Sequence, residues 1–398
     1  MYNLQKYTLK NILLDNNNWK KFSCFYKDRI RPSIHKAVNK MLSCKETFSG
    51  YHQYCCSNPN CKNIKIIPHT CKSRACSACG KKSIELWIFK QNNILPDTTW
   101  QHITFTMPSE LWDLFWYNRF LFNDISALAA ECIKMLAKNH GVTPGIFTAI
   151  HSFGRDLKRN VHIHLSSTTG GIDINSKTWK PLFFNHRKLK KLWKNKIIQL
   201  FRIHYNARNL TLTPELEKQI SHCLSFSQLL NGLYKKTWIV HCSLPNDNYK
   251  YNLEYFGRYT KRPPIAESKL KHYSGEDIVF SFRNHTTGKY EDQSMNTFAF
   301  IAKFIQHIPD QGFRMIRYYG FLANRVRGSL LNIVYEALHQ TKKDDFKKPS
   351  YVILMIKSFG KDPLSCIKCG CTMNLTKIFF PSALYKLQKS TLLVSQGE

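Results

Sequence analysis

The segment Arg159–Thr168 reads RNVHIHLSST, with two histidines flanking one isoleucine inside an apolar run. Successive side chains of a strand point to opposite faces. Val161, Ile163 and Leu165 would therefore share one face, and His162 and His164 the other. The stretch is short and β-branched, as strands are. Its apolar face would enter a core. The imidazoles would stand together on the opposite face, close enough to hold one metal ion through neutral ring nitrogens. Taken alone, the pair fits two ordinary histidines on a half-buried sheet equally well.

Strands and helices alternate outward from this segment. TPGIFTAIHSFGRD (143–156) reads as the preceding strand, joined to it by a short polar turn. TWQHITFTMP (99–108) alternates like a strand and stops at proline. Residues 109–141 have helical periodicity, with Ser109 placed as N-cap and Gly141 as stop. A basic helical insertion is expected over 176–235, then a strand at 236–245. NYKYNLEYFGRYTKR (248–262) reads as a helix ended by Pro263 and Pro264. Beyond it, 276–295 reads as a hairpin with a Thr-Gly turn, and 297–308 as a helix. Residues 1–40 read as an amphipathic helical lead-in.

The charge balance sets the partner class. Lys and Arg number 59 against 26 Asp and Glu, a net of +33 over 398 residues. A field of that sign favours a polyanion, either nucleic acid or an anionic membrane surface. A genome rich in A and T would inflate Lys, but it would raise Glu as well, and acids are scarce; nucleic acid is therefore the expected partner. No apolar stretch is long enough to cross a bilayer. The opening residues lack the apolar segment and small-residue cleavage site of a signal peptide. The chain is thus expected in the cytoplasm, associated with the nucleoid when bound to DNA. In that compartment its 14 cysteines read as metal ligands before disulfides.

Seven cysteines crowd residues 41–85: Cys44, Cys55, Cys56, Cys61, Cys71, Cys76 and Cys79. CCSNPNC and CKSRACSACG present short-spaced pairs separated by a loop, the pattern of a structural zinc site. The first-choice ligands are Cys56, Cys61, Cys76 and Cys79, with Cys71 able to replace one and Cys44 or His69 able to join a second site. The four-residue gap between Cys56 and Cys61 is wider than the common two-residue spacing, which leaves the ligand assignment more open than the site itself. Near the other end, CIKCGC (Cys366, Cys369, Cys371) is half of a zinc site with no second half nearby in sequence: a knuckle completed from elsewhere, or free thiols.

Two helical segments carry further chemistry. LEYFGRYTKR places Tyr255 and Tyr259 four residues apart, on one helix face, with Arg258, Lys261 and Arg262 around them. A tyrosine hydroxyl becomes a nucleophile when a metal or base activates it, although an isolated pair reads first as packing. In 186–202, Leu189, Leu192, Trp193, Ile197, Leu200 and Phe201 form an apolar stripe, and Lys190, Lys191 and Lys194 lie on the cationic side. At this net charge, a face that tracks phosphates is as well supported as a merely solvated one.

The order of a cysteine module, a strand, the His-x-His strand and a Tyr-x3-Tyr helix resembles the HUH endonucleases. More narrowly, the chain resembles the two-tyrosine rolling-circle insertion-sequence transposases with an N-terminal zinc-binding domain. The resemblance is carried by HSFGRDLKRNVHIHLSSTTGG, EYFGRYTKRPPIA and FRMIRYYGFLAN, and covers roughly residues 40–325. It implies an α+β fold. Residues 1–40 would be a lead-in, 41–90 the zinc module, 91–265 an HUH core of antiparallel sheet flanked by helices, and 266–398 a C-terminal α+β extension. It also implies that His162 and His164 bind Mg²⁺ or Mn²⁺, the latter suiting nitrogen ligands better. Tyr255 and Tyr259 would be paired nucleophiles that nick and rejoin single-stranded DNA through a 5′-phosphotyrosine. Such sites usually need a third ligand. A hairpin turning near Leu157 would set His151 opposite position 163, and His102 is the second choice; Asp156 falls in the turn.

Other readings share these residues. A replication initiator or relaxase would use the same chemistry. A zinc-dependent nucleic-acid binder without catalysis would use the same basic faces. A zinc deaminase fits poorly, because the histidine strand lacks the His-x-Glu that its reaction needs.

Overall fold

The computed structural model describes residues 7–73, 75–222, 225–260, 263–284, 287–343 and 346–382, without the side chains of residues 219, 221, 222 and 258–260. The chain is α+β. In the N-terminal part run helices α1 (Leu9–Leu14), α2 (Asn18–Phe25) and α3 (Pro32–Leu42), strands β1 (Tyr51–Cys56) and β2 (Ile64–Pro68), and helix α4 (Ser77–Asn92). The middle holds β3 (Trp100–Phe105), α5 (Leu114–Tyr117), α6 (Ile125–Lys138), β4 (Thr143–Phe153), β5 (Arg159–Asp173), β6 (Thr178–Pro181), α7 (His186–Asn206), α8 (Pro214–His222), α9 (Phe226–Lys235), β7 (Val240–Cys242) and α10 (Tyr249–Thr260). Then follow β8 (Leu270–Tyr273), β9 (Asp277–Arg283), β10 (Tyr290–Asn296), α11 (Thr297–Ile305), β11 (Ile316–Gly320), α12 (Arg327–Ala337), α13 (Tyr351–Phe359) and β12 (Met373–Phe379).

The central sheet runs β11-β4-β5-β3-β7, with β6 on the far end of β5, and these strands pair antiparallel. Period-two alternation decides its faces. Ile103, Phe105, Ile146, Ile150, Val161, Ile163 and Leu165 are buried under α6 and α7, among Ile133, Trp193, Ile197 and Phe201. The opposite face presents Trp100, Phe147 and Ala149 to Trp87 of α4, Leu253 and Phe256 of α10, and Leu331 and Val334 of α12. The histidine strand thus has the expected parity, and its imidazoles lie on the α10 side.

The β4–β5 hairpin turns at Gly154–Lys158, where Leu157 is fully buried with φ +62°. His307, just past α11, holds this turn: its Nε2 donates to the Leu157 carbonyl at 3.0 Å and Ser152 Oγ lies 3.2 Å from its Nδ1.

Two expectations need correction. Residues 109–141 are not one helix, and Ser109 caps nothing: it opens a 3-10 turn, and α6 starts only at Ile125. Asn118 breaks the run, its Nδ2 donating to Leu114 and Thr211 carbonyls and its Oδ1 accepting from Thr211 N, while Phe115 and Phe122 turn inward. The strand expected over 236–245 is only Val240–Cys242, because Trp238 is buried and its indole donates to the Leu233 carbonyl. Residues from the two ends of the chain pack together. Leu9, Trp19, Phe22, Ile34 and Val38 share one core with Ile278, Phe280, Phe300 and Phe304. β11 closes the edge of the central sheet, and β12 pairs with β1. The N-terminal helices thus complete their core with residues distant in the chain.

Candidate active site

Antiparallel pairing brings the histidines together. His151 lies directly opposite His162, one residue away from the expected register, and Ala149 lies opposite His164. One nitrogen from each of His151, His162 and His164 falls within 4.8 Å of the others. The pairing partners around His164 are small: Ala149 on one side and Thr104 on the other.

Neighbouring groups orient two of these rings. The Asn160 carbonyl lies 2.9 Å from His162 Nδ1, and His102 Nε2 lies 3.0 Å from His164 Nδ1. Both contacts use Nδ1 and so aim Nε2 elsewhere, the arrangement by which an outer partner fixes the tautomer of a metal-binding histidine. His102 is thus beside the cluster and behind His164, not part of the three-nitrogen group. Burial, reinforced by His241 and His162, pushes the His102 imidazolium down to about 4. Burial likewise holds His164 well below its usual range, with His151, His162 and His102 adding to it. Both rings are neutral near pH 7, the form that ligates metal.

Helix α10 covers this face. The Tyr255 ring packs edge-on against His102 with centroids 5.0 Å apart. Phe256 next to it stacks on Trp87 at 5.9 Å and meets Phe147 edge-on at 4.6 Å. Gly257 lets α10 approach α4 closely: a Cβ there would lie 3.2 Å from side-chain atoms of Ile84 and Ile88. Lys261 and Arg262 lie outside the described residues, as do the side chains of Arg258 and Tyr259.

Helix α4 starts in a cysteine cluster. Cys44, Cys71, Cys76 and Cys79 converge, with Cys79 Sγ 3.7 Å from Cys44 and 3.6 Å from Cys71, and Cys76 3.7 Å from Cys44. A zinc centre with four Zn–S bonds of about 2.3 Å has sulfur–sulfur edges of roughly 3.8 Å, whereas a disulfide needs about 2.05 Å. Backbone N–H groups of Cys71 and Ser73 point at Cys44 and Cys71 sulfurs at 3.4 and 3.3 Å. Hydrogen bonds from Cys71 and Cys76 hold the Cys44 thiol at about 7. A second cluster joins Cys56 and Cys61 to Cys366 and Cys369. The first-choice set of Cys56, Cys61, Cys76 and Cys79 is therefore divided between two clusters, and Cys71 and Cys44 complete the first. Spacing alone missed this, because β1 and β2 carry Cys56 and Cys61 away from α4. His69 packs beside His52 and joins neither.

The basic residues separate. Lys191 is exposed and Lys190 half-buried, while Lys194 donates to the Tyr234 carbonyl at 2.5 Å and sits over its ring. An open cleft runs beside β11, lined by Lys90 and Arg327, by Trp87, and by Arg314, Arg317 and Tyr318 of the segment FRMIRYYGFLAN. Cations interleaved with aromatic faces suit a single strand of nucleic acid. Among the described residues, no helix is long and apolar enough to cross a membrane.

Two family models match the chain. One, described as "Putative transposase", matches residues 145–329. The other, an IS91-type "Transposase zinc-binding domain", matches residues 15–107. The transposase for insertion sequence element IS801 of Pseudomonas savastanoi pv. phaseolicola is 38% identical over 92% of this chain and 89% of its own length. "Putative transposase y4qJ" of Sinorhizobium fredii is 26% identical over 71% of this chain and 73% of its own length. No solved structure matches the chain.

Proposed function

Since the chain belongs to the insertion-sequence transposases that carry an N-terminal zinc-binding domain, we propose that it nicks and rejoins single-stranded DNA through a 5′-phosphotyrosine, in rolling-circle transposition. The observation that carries this reading is the stacking of α10 on the imidazole face: Tyr255 against His102, and His102 against His164, beside three converging ring nitrogens.

The residues fit a divalent ion. His151, His162 and His164 offer three ring nitrogens, and with Mg²⁺ or Mn²⁺ bound the site would supply Lewis-acid polarisation of the scissile phosphate. Tyr255 or Tyr259 attacks phosphorus through its phenolate oxygen. The new O–P bond replaces the bond to the 3′ oxygen, which leaves as a 3′-hydroxyl after taking a proton. The phosphodiester energy stays in the tyrosine link, so the reverse attack by a 3′-hydroxyl rejoins strands without ATP. His102 holds His164 in place and packs against Tyr255. Lys190, Lys191, Arg258, Lys261, Arg262 and the cleft beside β11 would track the phosphates; Lys194 is tied to Tyr234 and contributes less.

The test is a covalent adduct. Incubation with a single-stranded oligonucleotide and Mn²⁺ should yield a denaturant-resistant protein–DNA species, and peptide mapping should locate it at Tyr255 or Tyr259. Phe at both positions should abolish the adduct while binding survives. An adduct that persists in the double variant sinks the assignment. Binding without any adduct in the wild-type chain would favour the zinc-dependent binder.

A further inference from the structure

Cys56 and Cys61 stand at the end of β1 and in the turn after it; Cys366 and Cys369 lie in the turn before β12. Cys56 Sγ lies 3.4 Å from Cys369 Sγ across 313 residues, and Cys61 Sγ lies 3.8 Å from Cys366 Sγ across 305. These separations are again the edges of a tetrahedral thiolate centre, roughly 3.8 Å for zinc. The match to the zinc-binding domain ends at residue 107, so half of this set lies outside it.

The surroundings are built for thiolates. Asn63 Nδ2 donates to Cys366 Sγ at 3.3 Å. Two tight turns present the pairs: Cys61 N donates to the Asn58 carbonyl at 2.9 Å, and Gly370 N to the Cys366 carbonyl at 2.9 Å, with Gly370 at φ +74°. Apolar packing there is meagre, a cluster of only Tyr54, Cys366 and Met373 at its centre. Most of β12 is exposed on the side chains that follow Met373. Strand pairing and three buried side chains are a poor anchor for a terminal segment, and a metal contributes what so small a core does not.

We infer that Cys56, Cys61, Cys366 and Cys369 bind a second zinc ion, which clasps the C-terminal strand onto the N-terminal zinc module and so closes the chain on itself. Zinc binding releases the protons of the thiols it ligates. The site holds four sulfurs and leaves no open position, so its role is structural. It is independent of the strand-transfer reading.

The test uses the full chain purified without chelator, with metal content read by mass spectrometry. Two zinc ions per chain are expected, one for each four-cysteine cluster. Cys366→Ser with Cys369→Ser should lose one, Cys56→Ser with Cys61→Ser should lose the same one, and all four together should lose no more. Thiol labelling of the wild-type chain decides the matter if a variant fails to fold. Cys24 and Cys369 are both exposed; Cys24 should react at once, and Cys369 only after zinc is chelated. One zinc in the wild-type chain, iron in place of zinc, or Cys369 labelling as fast as Cys24 would overturn the assignment.

Discussion

Gly257 lets the tyrosine helix be perturbed without touching a tyrosine. Its added Cβ would meet Ile84 Cγ2 and Ile88 Cγ1 and Cδ1 at 3.2 Å, a few tenths of an ångström inside the optimal carbon–carbon separation of about 3.5–4.0 Å. Gly257→Ala also gains about 0.8–1.0 kcal/mol of helix propensity, which offsets the small shift asked of two isoleucine side chains. The alanine variant should therefore be near neutral. Gly257→Leu adds three further carbons to a filled space, and overpacking of that kind costs about 1–3 kcal/mol. Net of propensity, stability falls by roughly 0–2 kcal/mol, which the fold should survive. The site should not tolerate it. If α10 relieves the clash by moving about 1 Å off α4, Tyr255 leaves His102, and misplacement on that scale costs on the order of 100-fold in rate. The assay is the rate of adduct formation with Mn²⁺ and single-stranded oligonucleotide, with zinc content and melting temperature as controls. We expect alanine within about threefold of wild type and leucine about 100-fold slower with its zinc retained. A leucine variant at the wild-type rate would refute the idea that α4 sets the position of the tyrosine helix.

Three further outcomes are expected. Burial, the main cause, pushes His307 down to about 4. The unfolded chain therefore binds a proton near pH 6.5 that the folded chain refuses until about 4, and stability should fall as pH drops through that window, by on the order of 3 kcal/mol; His307→Gln should flatten the slope in denaturant titrations between those values, and an unchanged slope would exclude His307 as its source. Affinity for single-stranded DNA should fall steeply from 50 to 200 mM salt, as release of counterions demands; a flat affinity would exclude a surface that tracks the backbone. Cys44→Ser should remove the zinc held with Cys71, Cys76 and Cys79 and expose α4 to protease, whereas retained zinc and an intact α4 would move the ligand assignment elsewhere.

Local pattern carried far in this chain. Alternation in RNVHIHLSST placed Val161, Ile163 and Leu165 in a core and the two imidazoles on the other face, and the structure keeps that division. The apolar stripe of 186–202 likewise survives in Leu189, Trp193, Ile197 and Phe201. Such readings hold because side-chain direction within one strand or helix follows from backbone geometry alone. The run from 109 to 141 failed because Asn118 takes its partners from Thr211, outside any window of local sequence.

The sequence by itself determined the cationic surface, the histidine strand, the helix bearing Tyr255 and the presence of cysteine pairs for metal. Only the tertiary structure decided which groups meet: His151 against His162 rather than one residue along, His102 behind His164, and Cys366 and Cys369 across from Cys56 and Cys61. The physical reason is that periodicity fixes where a side chain points within its own element. A ligand set, by contrast, depends on how loops of hundreds of residues close, and that is settled by the burial of faces that have no partner nearby in the chain.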